Sequence, residues 1–234
     1  MKKDEKKNLT RTYNTLFMLM SIDGKISTGI NSRDIDADSK HIESLLEGRY
    51  QYDDLEQKTD LASLNTGKVM AKVGWNDKKE KIDKIPVEFI IVDNKPHLDG
   101  LGVRNLLRHV KKLYIVTTNI NHPAYSIEDN NLEVIRFDDQ VDFSALFILL
   151  KSKGIERVTV QSGGTLNSVL IREDFVDELS LVVAPIMVGG EDTPSLEDGT
   201  SIVSQKDLSL IKEFEIIEAK VLDKSYLNLR YKRK

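Results

Sequence analysis

The chain has 234 residues with 34 Lys and Arg, 38 Asp and Glu, four His and no Cys, which gives a formal net charge of −4. A chain of this length can bury a substantial core, and the absence of Cys excludes disulfide scaffolds, Cys-ligated zinc and thiol catalysis. The mildly acidic balance provides no global field that would attract nucleic acid or an anionic membrane, so the composition predicts a globular cytoplasmic protein.

No segment predicts export or insertion into a membrane. The apolar run at residues 16–20 is shorter than the apolar region of a signal peptide. The run at residues 143–150 falls far short of the roughly 20 residues that span a bilayer. We therefore expect neither a membrane nor nucleic acid as a partner.

Hydrophobic patterning predicts strands that alternate with helices. The predicted strands are short apolar runs at residues 13–20, 61–64, 87–92, 113–117, 132–137, 157–160, 179–184, 214–221 and 226–231. The predicted helices have apolar residues at helical spacing and lie at residues 36–47, 69–73, 103–109, 143–153 and 165–173. Gly48 and Gly154 are expected to end two of these helices. The alternation predicts an α/β fold with a mostly parallel sheet covered on both faces, and an antiparallel C-terminal hairpin at one edge.

No repeat, low-complexity tract or linker divides the chain. Residues 1–10 are polar, and we expect them to form an N-terminal tail. Residues 11–234 are expected to form a single domain.

The segment with the clearest functional signal is Gln161-Ser-Gly-Gly-Thr-Leu-Asn167, where a predicted strand runs into a predicted helix. Gly163 and Gly164 let the backbone approach a ligand closely, and the helix N-terminus offers unpaired N–H groups and positive potential. This combination predicts a phosphate site, although a tight turn that only serves packing explains the glycines equally well. The segment Gly100-Leu-Gly102 follows no strand and is interpreted as an ordinary loop.

Two segments near the carboxyl ends of predicted strands are further candidates. Asp23 lies in Met20-Ser-Ile-Asp-Gly-Lys-Ile-Ser27, where it can hydrogen-bond a polar ring or donate a proton. Taken alone, the segment favours a simple turn, because Asp-Gly is among the commonest turn pairs. Lys68, in Ser63-Leu-Asn-Thr-Gly-Lys68, can place a charge on a phosphate or remain an exposed lysine.

The remaining polar features favour structural roles. The segment Val188-Gly-Gly-Glu-Asp-Thr-Pro194 carries two carboxylates and can line a substrate site or simply turn the chain, and we interpret it as a turn. The four histidines are scattered without metal-ligand spacing, so no metal site is predicted. Their positions are His41, His97, His109 and His122.

Taken in order, these segments resemble the riboflavin-biosynthesis reductase domain, the C-terminal half of the bifunctional deaminase–reductase, within the dihydrofolate reductase-like superfamily. The resemblance covers residues 12–231 and is carried by four segments. They are Met20-Ser-Ile-Asp-Gly-Lys-Ile26, Thr117-Thr118, Gln161-Ser-Gly-Gly-Thr-Leu-Asn167, and Val176-Asp-Glu-Leu followed by Ala184-Pro-Ile-Met-Val-Gly-Gly190.

The resemblance implies a dihydrofolate reductase-like three-layer fold and a homodimer. It also implies an NADPH-dependent oxidoreductase with a small-molecule substrate, which reduces the ribosylamino group of a pyrimidine ribosylamine 5′-phosphate to ribitylamino. Because a zinc deaminase uses Cys ligands and this chain has none, we expect a stand-alone reductase.

The resemblance further implies roles for individual residues. Cofactor contacts are expected from Met20 beside the nicotinamide, from Asn94 and Thr118 near the adenosine, and from two glycine-containing segments. Those segments contribute Thr66, Gly67 and Lys68, and Gly163, Gly164, Thr165, Leu166 and Asn167 at the pyrophosphate. Ser21, Asp23, Asp34 and Gln161 are expected to face the substrate, with Asp23 as the catalytic residue that manages the proton.

Two departures from the family pattern affect these expectations. Gln161 stands where members of the riboflavin branch often carry Glu, which weakens the assignment of the substrate. The run Asn65-Thr-Gly-Lys-Val differs from the usual Gly-x-x-Thr-Val, which leaves open whether Thr66 or Lys68 meets phosphate.

Other functions compatible with the sequence are a related reductase of a folate, a pterin or an unrelated small molecule, and a non-catalytic NADP-binding protein. A dimeric interaction protein without a ligand is a further alternative, in which the Gly163-Gly164 turn is purely structural.

Overall fold

The computed structural model describes residues 10–29 and 40–234. Within these residues the strands are β1 (Tyr13–Met20), β2 (Ala62–Thr66), β3 (Glu88–Val92), β4 (Lys112–Thr117), β5 (Leu132–Arg136), β6 (Arg157–Val160), β7 (Glu178–Val183), β8 (Phe214–Val221) and β9 (Leu227–Arg233). The α-helices are α1 (Glu43–Gly48), α2 (Tyr50–Glu56), α3 (Gly67–Lys72), α4 (Gly100–His109), α5 (Phe143–Ser152) and α6 (Gly164–Arg172). None of these helices is long and apolar enough to cross a membrane.

The strands form one sheet in the order β5-β4-β3-β2-β6-β1-β7-β9-β8. All pairs among β1 to β7 are parallel, whereas β9 pairs antiparallel with both β7 and β8. The predicted α/β fold with a mostly parallel sheet and an antiparallel C-terminal hairpin is therefore confirmed.

Helices cover both faces of the sheet because alternate strand residues point to opposite sides. Leu16, Leu64 and Ile90 pack with residues of α5 and α6 on one face. On the other face, Ile91 packs with α3 and α4, and Phe17 packs with α1 and α2. The two clusters on this second face are separate, and the space between them becomes the cleft described below.

The predicted helix at residues 36–47 is only partly correct. Residues 36–39 lie outside the described residues, and α1 begins at Glu43. Gly48 does not end the helical path as predicted, because Arg49 keeps right-handed helical angles and α2 follows at once. A Cβ at Gly48 would overlap the ring of buried Tyr226, so close packing explains this glycine. The helix α2 itself, with the polar sequence YQYDDLE, was not predicted.

The interpretation of Gly100-Leu-Gly102 as a loop was wrong. These residues form the first turn of α4, and the Asp99 carboxylate caps the helix by accepting from the Gly102 N–H at 2.7 Å. A Cβ at Gly102 would overlap the side chain of Asn76. The signal that could have located the start of this helix is Asp99, because a short polar residue is favoured at the N-cap position whether or not a strand precedes it.

The Asp177-Glu178 pair at the start of β7 ties three strands together. Asp177 binds the Arg11 guanidinium through both carboxylate oxygens at 2.8 Å and accepts from the Asn14 N–H at 2.8 Å. Glu178 pairs with Arg230 on β9. The acidic pair therefore fixes β7 between β1 and β9, which sets the position of both neighbouring strand ends.

Candidate functional site

A cleft of about 370 Å³ opens on the second face of the sheet, between α2 and α3 and beside the start of α6. The carboxyl-terminal halves of β1 and β2 and the residues just after β6 form its floor. Its lining is mostly apolar with a few polar groups, as in small-molecule sites generally. The lining residues are Met18, Leu19, Ile26, Tyr52, Asp53, Glu56, Asn65, Val69, Met70, Trp75, Phe89, Gln161, Ser162 and Gly163.

The N-terminus of α6 opens onto this cleft. Gly163 is the N-cap residue and makes no side-chain cap, so the N–H groups of the first turn keep the positive potential of the helix end. A Cβ at Gly163 would meet nothing within 4 Å. This arrangement fits an anion such as a phosphate group of a cofactor.

The other residues of the Gly-rich segment have structural partners. Gly164 is packed closely, because a Cβ there would overlap the carbonyl oxygen of Ser195 and the carboxylate of Asp198. Asn167 is fully buried, accepts from the Ser162 hydroxyl at 2.6 Å and donates to the Leu196 carbonyl at 2.9 Å. Of the two explanations considered for the glycines, close packing therefore applies to Gly164, while ligand approach stays open for Gly163.

Thr165 and Leu166 complete the first turn of α6. The side chain of Thr165 is exposed, whereas Leu166 packs partly on the core between the sheet, α5 and α6.

Asp23 holds two loops together at the carboxyl end of β1. Its carboxylate accepts from the Ser21 hydroxyl at 2.5 Å and from the N–H groups of Gly189 and Val188 at 2.7 and 3.1 Å. The Ser21 hydrogen bond, with those of the two backbone groups, lowers the pKa of Asp23 to about 2. Asp23 is therefore ionised at neutral pH and has no proton to donate there.

The segment at 188–194, interpreted as a turn, is part of this assembly. A β-bridge joins Lys25 to Ser195, and the Lys25 ammonium donates to the Thr193 carbonyl at 2.8 Å. Through Ser195 and Leu196 the same segment reaches the start of α6. The segments around Asp23 and Gly163 are thus brought together, as expected from their positions after β1 and β6.

The segment after β2 forms the start of α3. Thr66 is the N-cap residue, with its hydroxyl accepting from the Val69 N–H at 3.3 Å, and Lys68 is exposed. Gly67 packs on the carboxylate of Asp93, which follows β3. The loop after β3 and the loop after β4 also meet, since Asn94 accepts from the Thr118 N–H at 3.0 Å.

Asp93 is a buried carboxylate that was not singled out in the sequence. It is 2% exposed and accepts hydrogen bonds at 3.1 Å from the backbone N–H groups of His97 and Leu98 and from the rings of His97 and His122. Burial raises the pKa of Asp93, but these hydrogen bonds outweigh burial, and the pKa lies below its ordinary value. Two of the scattered histidines thus serve as structural partners of one carboxylate.

Possible metal ligands do not cluster in the part of the chain that the structure describes. Residues 10–29 and 40–234 contain no group of three or more His, Asp or Glu side chains placed to hold a metal ion.

Gln161 connects the sheet to α2 inside the cleft. Its amide oxygen accepts from the Ser63 hydroxyl at 3.0 Å, and its amide nitrogen donates to Glu56 at 2.5 Å and to the Tyr52 hydroxyl at 3.3 Å. Tyr52 and Glu56 were missed in the sequence because α2 was not predicted. The signal that could have found them is the i, i+4 spacing of Tyr52 and Glu56, which places both on one side of a helix.

The contacts described above do not include two of the predicted site residues. Met20, the last residue of β1, is half-buried and packs on the α5–α6 side of the sheet. Asp34 lies outside the described residues.

Comparison with known proteins agrees with this architecture. The model of the RibD C-terminal domain family matches residues 12–223. A 2,5-diamino-6-ribosylamino-4(3H)-pyrimidinone 5′-phosphate reductase of Archaeoglobus fulgidus is 29% identical over 206 residues, covering 83% of this chain and 90% of the relative. A protein of the same name from Aquifex aeolicus is 28% identical over 211 residues, covering 86% and 88%.

Solved structures show the same fold. A deaminase/reductase of Thermotoga maritima superposes with a TM-score of 0.66 at 18% identity, and the riboflavin biosynthesis reductase Rib7 of Saccharomyces cerevisiae with 0.59 at 17% identity. The aligned part is 96% of this chain and 57% of the Thermotoga chain, and 97% and 92% for Rib7. The chain likewise spans 58% of the RibD chain of Acinetobacter baumannii, which has a TM-score of 0.62. Since the family model extends over nearly the whole sequence, this chain belongs to the RibD C-terminal domain family, and the resemblance stated from its motifs is confirmed.

Proposed function

We propose that the protein is an NADPH-dependent reductase that converts the ribosylamino group of a pyrimidine ribosylamine 5′-phosphate into a ribitylamino group. The observation that carries this proposal is the uncapped N-terminus of α6 at Gly163, which opens onto a mostly apolar cleft beside the loops at the carboxyl ends of parallel strands. Ligands of open α/β sheets bind at that edge. The names of the relatives support the substrate class.

The residues around the cleft fit a dinucleotide. The first turn of α6, with Gly163 and Thr165, would hold a phosphate group through backbone N–H groups, because no side chain caps the N-terminus of this helix. Lys68 is exposed at the start of α3, whereas the Thr66 hydroxyl already caps that helix. We therefore assign Lys68 to a phosphate in preference to Thr66.

Two further groups of residues complete the proposed cofactor site. The loops that meet at Asn94 and Thr118 would face the adenosine end. When bound, the reduced nicotinamide supplies the hydride, and the protein positions the acceptor carbon and excludes water.

Asp23 has a positioning role in this proposal, not the role of proton donor considered from the sequence. A carboxyl group with a pKa of about 2 is ionised at the pH of the cell. Its three hydrogen bonds instead fix the loop at 188–189 against Ser21, beside the end of β1. Ser21 and Gln161 remain proposed substrate neighbours, as does Asp34.

Gly163→Asp tests the cofactor site without disturbing the fold. An Asp at this N-cap position has room for its side chain and can cap α6, so the unliganded protein should be at least as stable as wild type. Its carboxylate would occupy the position proposed for the phosphate and repel the negatively charged phosphate group. At about 100 times the dissociation constant, NADPH should stabilise the wild type by about 2.7 kcal/mol, and this stabilisation should be lost in Gly163→Asp.

Gly163→Ala is the matched control, because it adds a side chain without a charge. It should keep the NADPH-dependent rise in melting temperature. If NADPH raised the melting temperature of wild type and Gly163→Asp equally, the proposal that a phosphate group binds at the start of α6 would be wrong. Oxidation of NADPH by the wild type with dihydrofolate, but not with a pyrimidine ribosylamine phosphate, would replace the proposed substrate with a folate.

We further propose a homodimer in the cytoplasm, where reduced nicotinamide cofactors and phosphorylated metabolites are available. The edge strand β8 supports the dimer, because Ile216, Ile217 and Val221 are 51, 48 and 81% exposed on it. An apolar edge strand is a site for association. Light scattering should show a dimer that Ile217→Lys and Val221→Lys together convert to a monomer.

A further inference from the structure

We propose that Glu56 determines the pyrimidine specificity of the site, by accepting hydrogen bonds from the 2-amino group and the adjacent ring N3–H of a 2-aminopyrimidin-4(3H)-one. A uracil, which has an oxygen at C2, would be disfavoured. This inference rests on the proposed function and adds to it the residue that selects between two substrate rings.

Glu56 is held in the wall of the cleft by its helix. It is half-buried in the last turn of α2 and lines the cleft together with Tyr52. The Tyr52 ring stacks on Phe17 of β1 with a centroid distance of 4.8 Å and an interplanar angle of 6°. This stacking fixes α2 against the sheet, and the side chain one turn later is thereby directed to the same side.

A directional chain of hydrogen bonds ends at the Glu56 carboxylate. Asn65 Nδ2 donates to Ser63 Oγ at 3.0 Å, and Ser63 Oγ donates to Gln161 Oε1 at 3.0 Å. Gln161 Nε2 then donates to Glu56 Oε1 at 2.5 Å. Because the hydroxyl engages the amide oxygen, the amide nitrogen of Gln161 must face Glu56, and Glu56 is the acceptor at the end of the chain.

Both carboxylates in the cleft wall have partners in the protein. Asp53 pairs with the Arg49 guanidinium on its own helix at 3.2 Å, whereas Glu56 accepts from Gln161 at the floor of the cleft. Because an ionised carboxylate has about four acceptor positions, Glu56 can accept from a ligand in the cleft in addition to its protein partners.

The 2-aminopyrimidinone and uracil rings differ in the group at C2, which is an amino group in the first and a carbonyl oxygen in the second. The Archaeoglobus and Aquifex relatives are named for a 2,5-diamino-4(3H)-pyrimidinone, whose 2-amino group and N3–H are adjacent donors on one edge. Two parallel N–H donors match the two oxygens of a carboxylate. The Thermotoga protein is named for a uracil, in which a carbonyl oxygen replaces the 2-amino group. That oxygen would face a carboxylate oxygen, acceptor against acceptor.

The test compares kcat/KM for the two ring types, 2,5-diamino-6-ribosylamino-4(3H)-pyrimidinone 5′-phosphate and 5-amino-6-(5-phosphoribosylamino)uracil, with NADPH. The variants are Glu56→Gln and the matched control Asp54→Asn, an exposed carboxylate on the same helix that does not line the cleft. We expect the wild type and Asp54→Asn to prefer the 2-amino substrate. Glu56→Gln should lower that preference about 10- to 100-fold, mainly through KM for the 2-amino substrate.

Two further measurements keep the outcome decisive. The NADPH-induced rise in melting temperature should be the same in all three proteins, which shows that Glu56→Gln folds and binds cofactor. In the wild type, 2,6-diaminopyrimidin-4(3H)-one should inhibit more strongly than 6-aminouracil, which tests the preference without any variant.

The possible failures are distinguishable. An unchanged preference in Glu56→Gln, or a wild type that uses both rings equally, would overturn the role of Glu56 and leave the reductase intact. A wild type that reduces neither substrate would overturn the proposed function and the specificity residue with it.

Discussion

Gly67→Ala should destabilise the protein strongly, although the change adds only one methyl group at the first residue of a helix. A Cβ at this position would lie well under 3.0 Å from all three atoms of the Asp93 carboxyl group. Asp93 is buried and its carboxylate accepts from two backbone N–H groups and two histidine rings. The carboxylate therefore cannot move aside without lengthening several hydrogen bonds at once.

The expected magnitude follows from these contacts. Overpacking a tight site costs about 1–3 kcal/mol, and hydrogen bonds to a charged group contribute about 1.5–3 kcal/mol each. Because the site can relax in part, we expect a loss of about 2–4 kcal/mol in the free energy of unfolding. For a domain of this size, that loss lowers the melting temperature by about 5–15 °C.

Gly100→Ala is the matched control, since Gly100 is also the first residue of its helix and a Cβ there would meet nothing within 4 Å. Alanine in a helix is favoured over glycine by about 0.5–1 kcal/mol, so this variant should be neutral or slightly stabilised. The assay is urea unfolding followed by circular dichroism, with comparable m-values for all three proteins. A Gly67→Ala protein as stable as Gly100→Ala would refute the packing of Asp93 against the start of α3.

Three further predictions concern charged groups. Asp93→Asn should lower the free energy of unfolding at neutral pH by about 3–5 kcal/mol. Since the pKa of Asp93 lies below its ordinary value in the folded protein, the wild type should lose this stability as pH falls below about 4. Urea titrations at pH 3 and pH 7 should therefore show that the difference in stability between the two proteins is smaller in acid. Asp23→Asn should lower kcat without removing any limb of the pH–rate profile between pH 5 and 9, because the pKa of Asp23 is about 2; loss of an acidic limb in the variant would restore Asp23 as a proton donor. Arg11→Lys should cost about 1–2 kcal/mol in thermal unfolding, since one ammonium cannot replace the two 2.8 Å hydrogen bonds to Asp177, and an unchanged melting temperature would show that the pair contributes nothing.

Much of the fold could be predicted from local pattern. The strands and most helices were placed within a few residues, because a buried parallel strand is a short apolar run and a covering helix has apolar residues at helical spacing. The exceptions have a common cause. The polar helix α2 and the first turn of α4 have few apolar residues of their own, and contacts from other parts of the chain support them. Tyr52 of α2 stacks on Phe17 of β1, and Asn76 packs against Gly102 of α4.

The candidate site was predictable only in outline. From the sequence alone it follows that glycines come after β6, that Asp23 comes after β1, and that both lie at the carboxyl edge of a parallel sheet. Their partners were decided by the tertiary structure. Asp23 bonds to Gly189, 166 residues away, and Gln161 bonds to Glu56, 105 residues away.

The physical reason lies in the order of the strands. Because β1 lies between β6 and β7, and β6 pairs with β2, the loops that follow these strands meet although they are distant in sequence. Local propensity determines where each strand or helix forms, but the pairing of strands determines which side chains share hydrogen bonds. The ionised state of Asp23, the burial of Asp93 and the place of Glu56 in the cleft wall were therefore decided by tertiary packing alone.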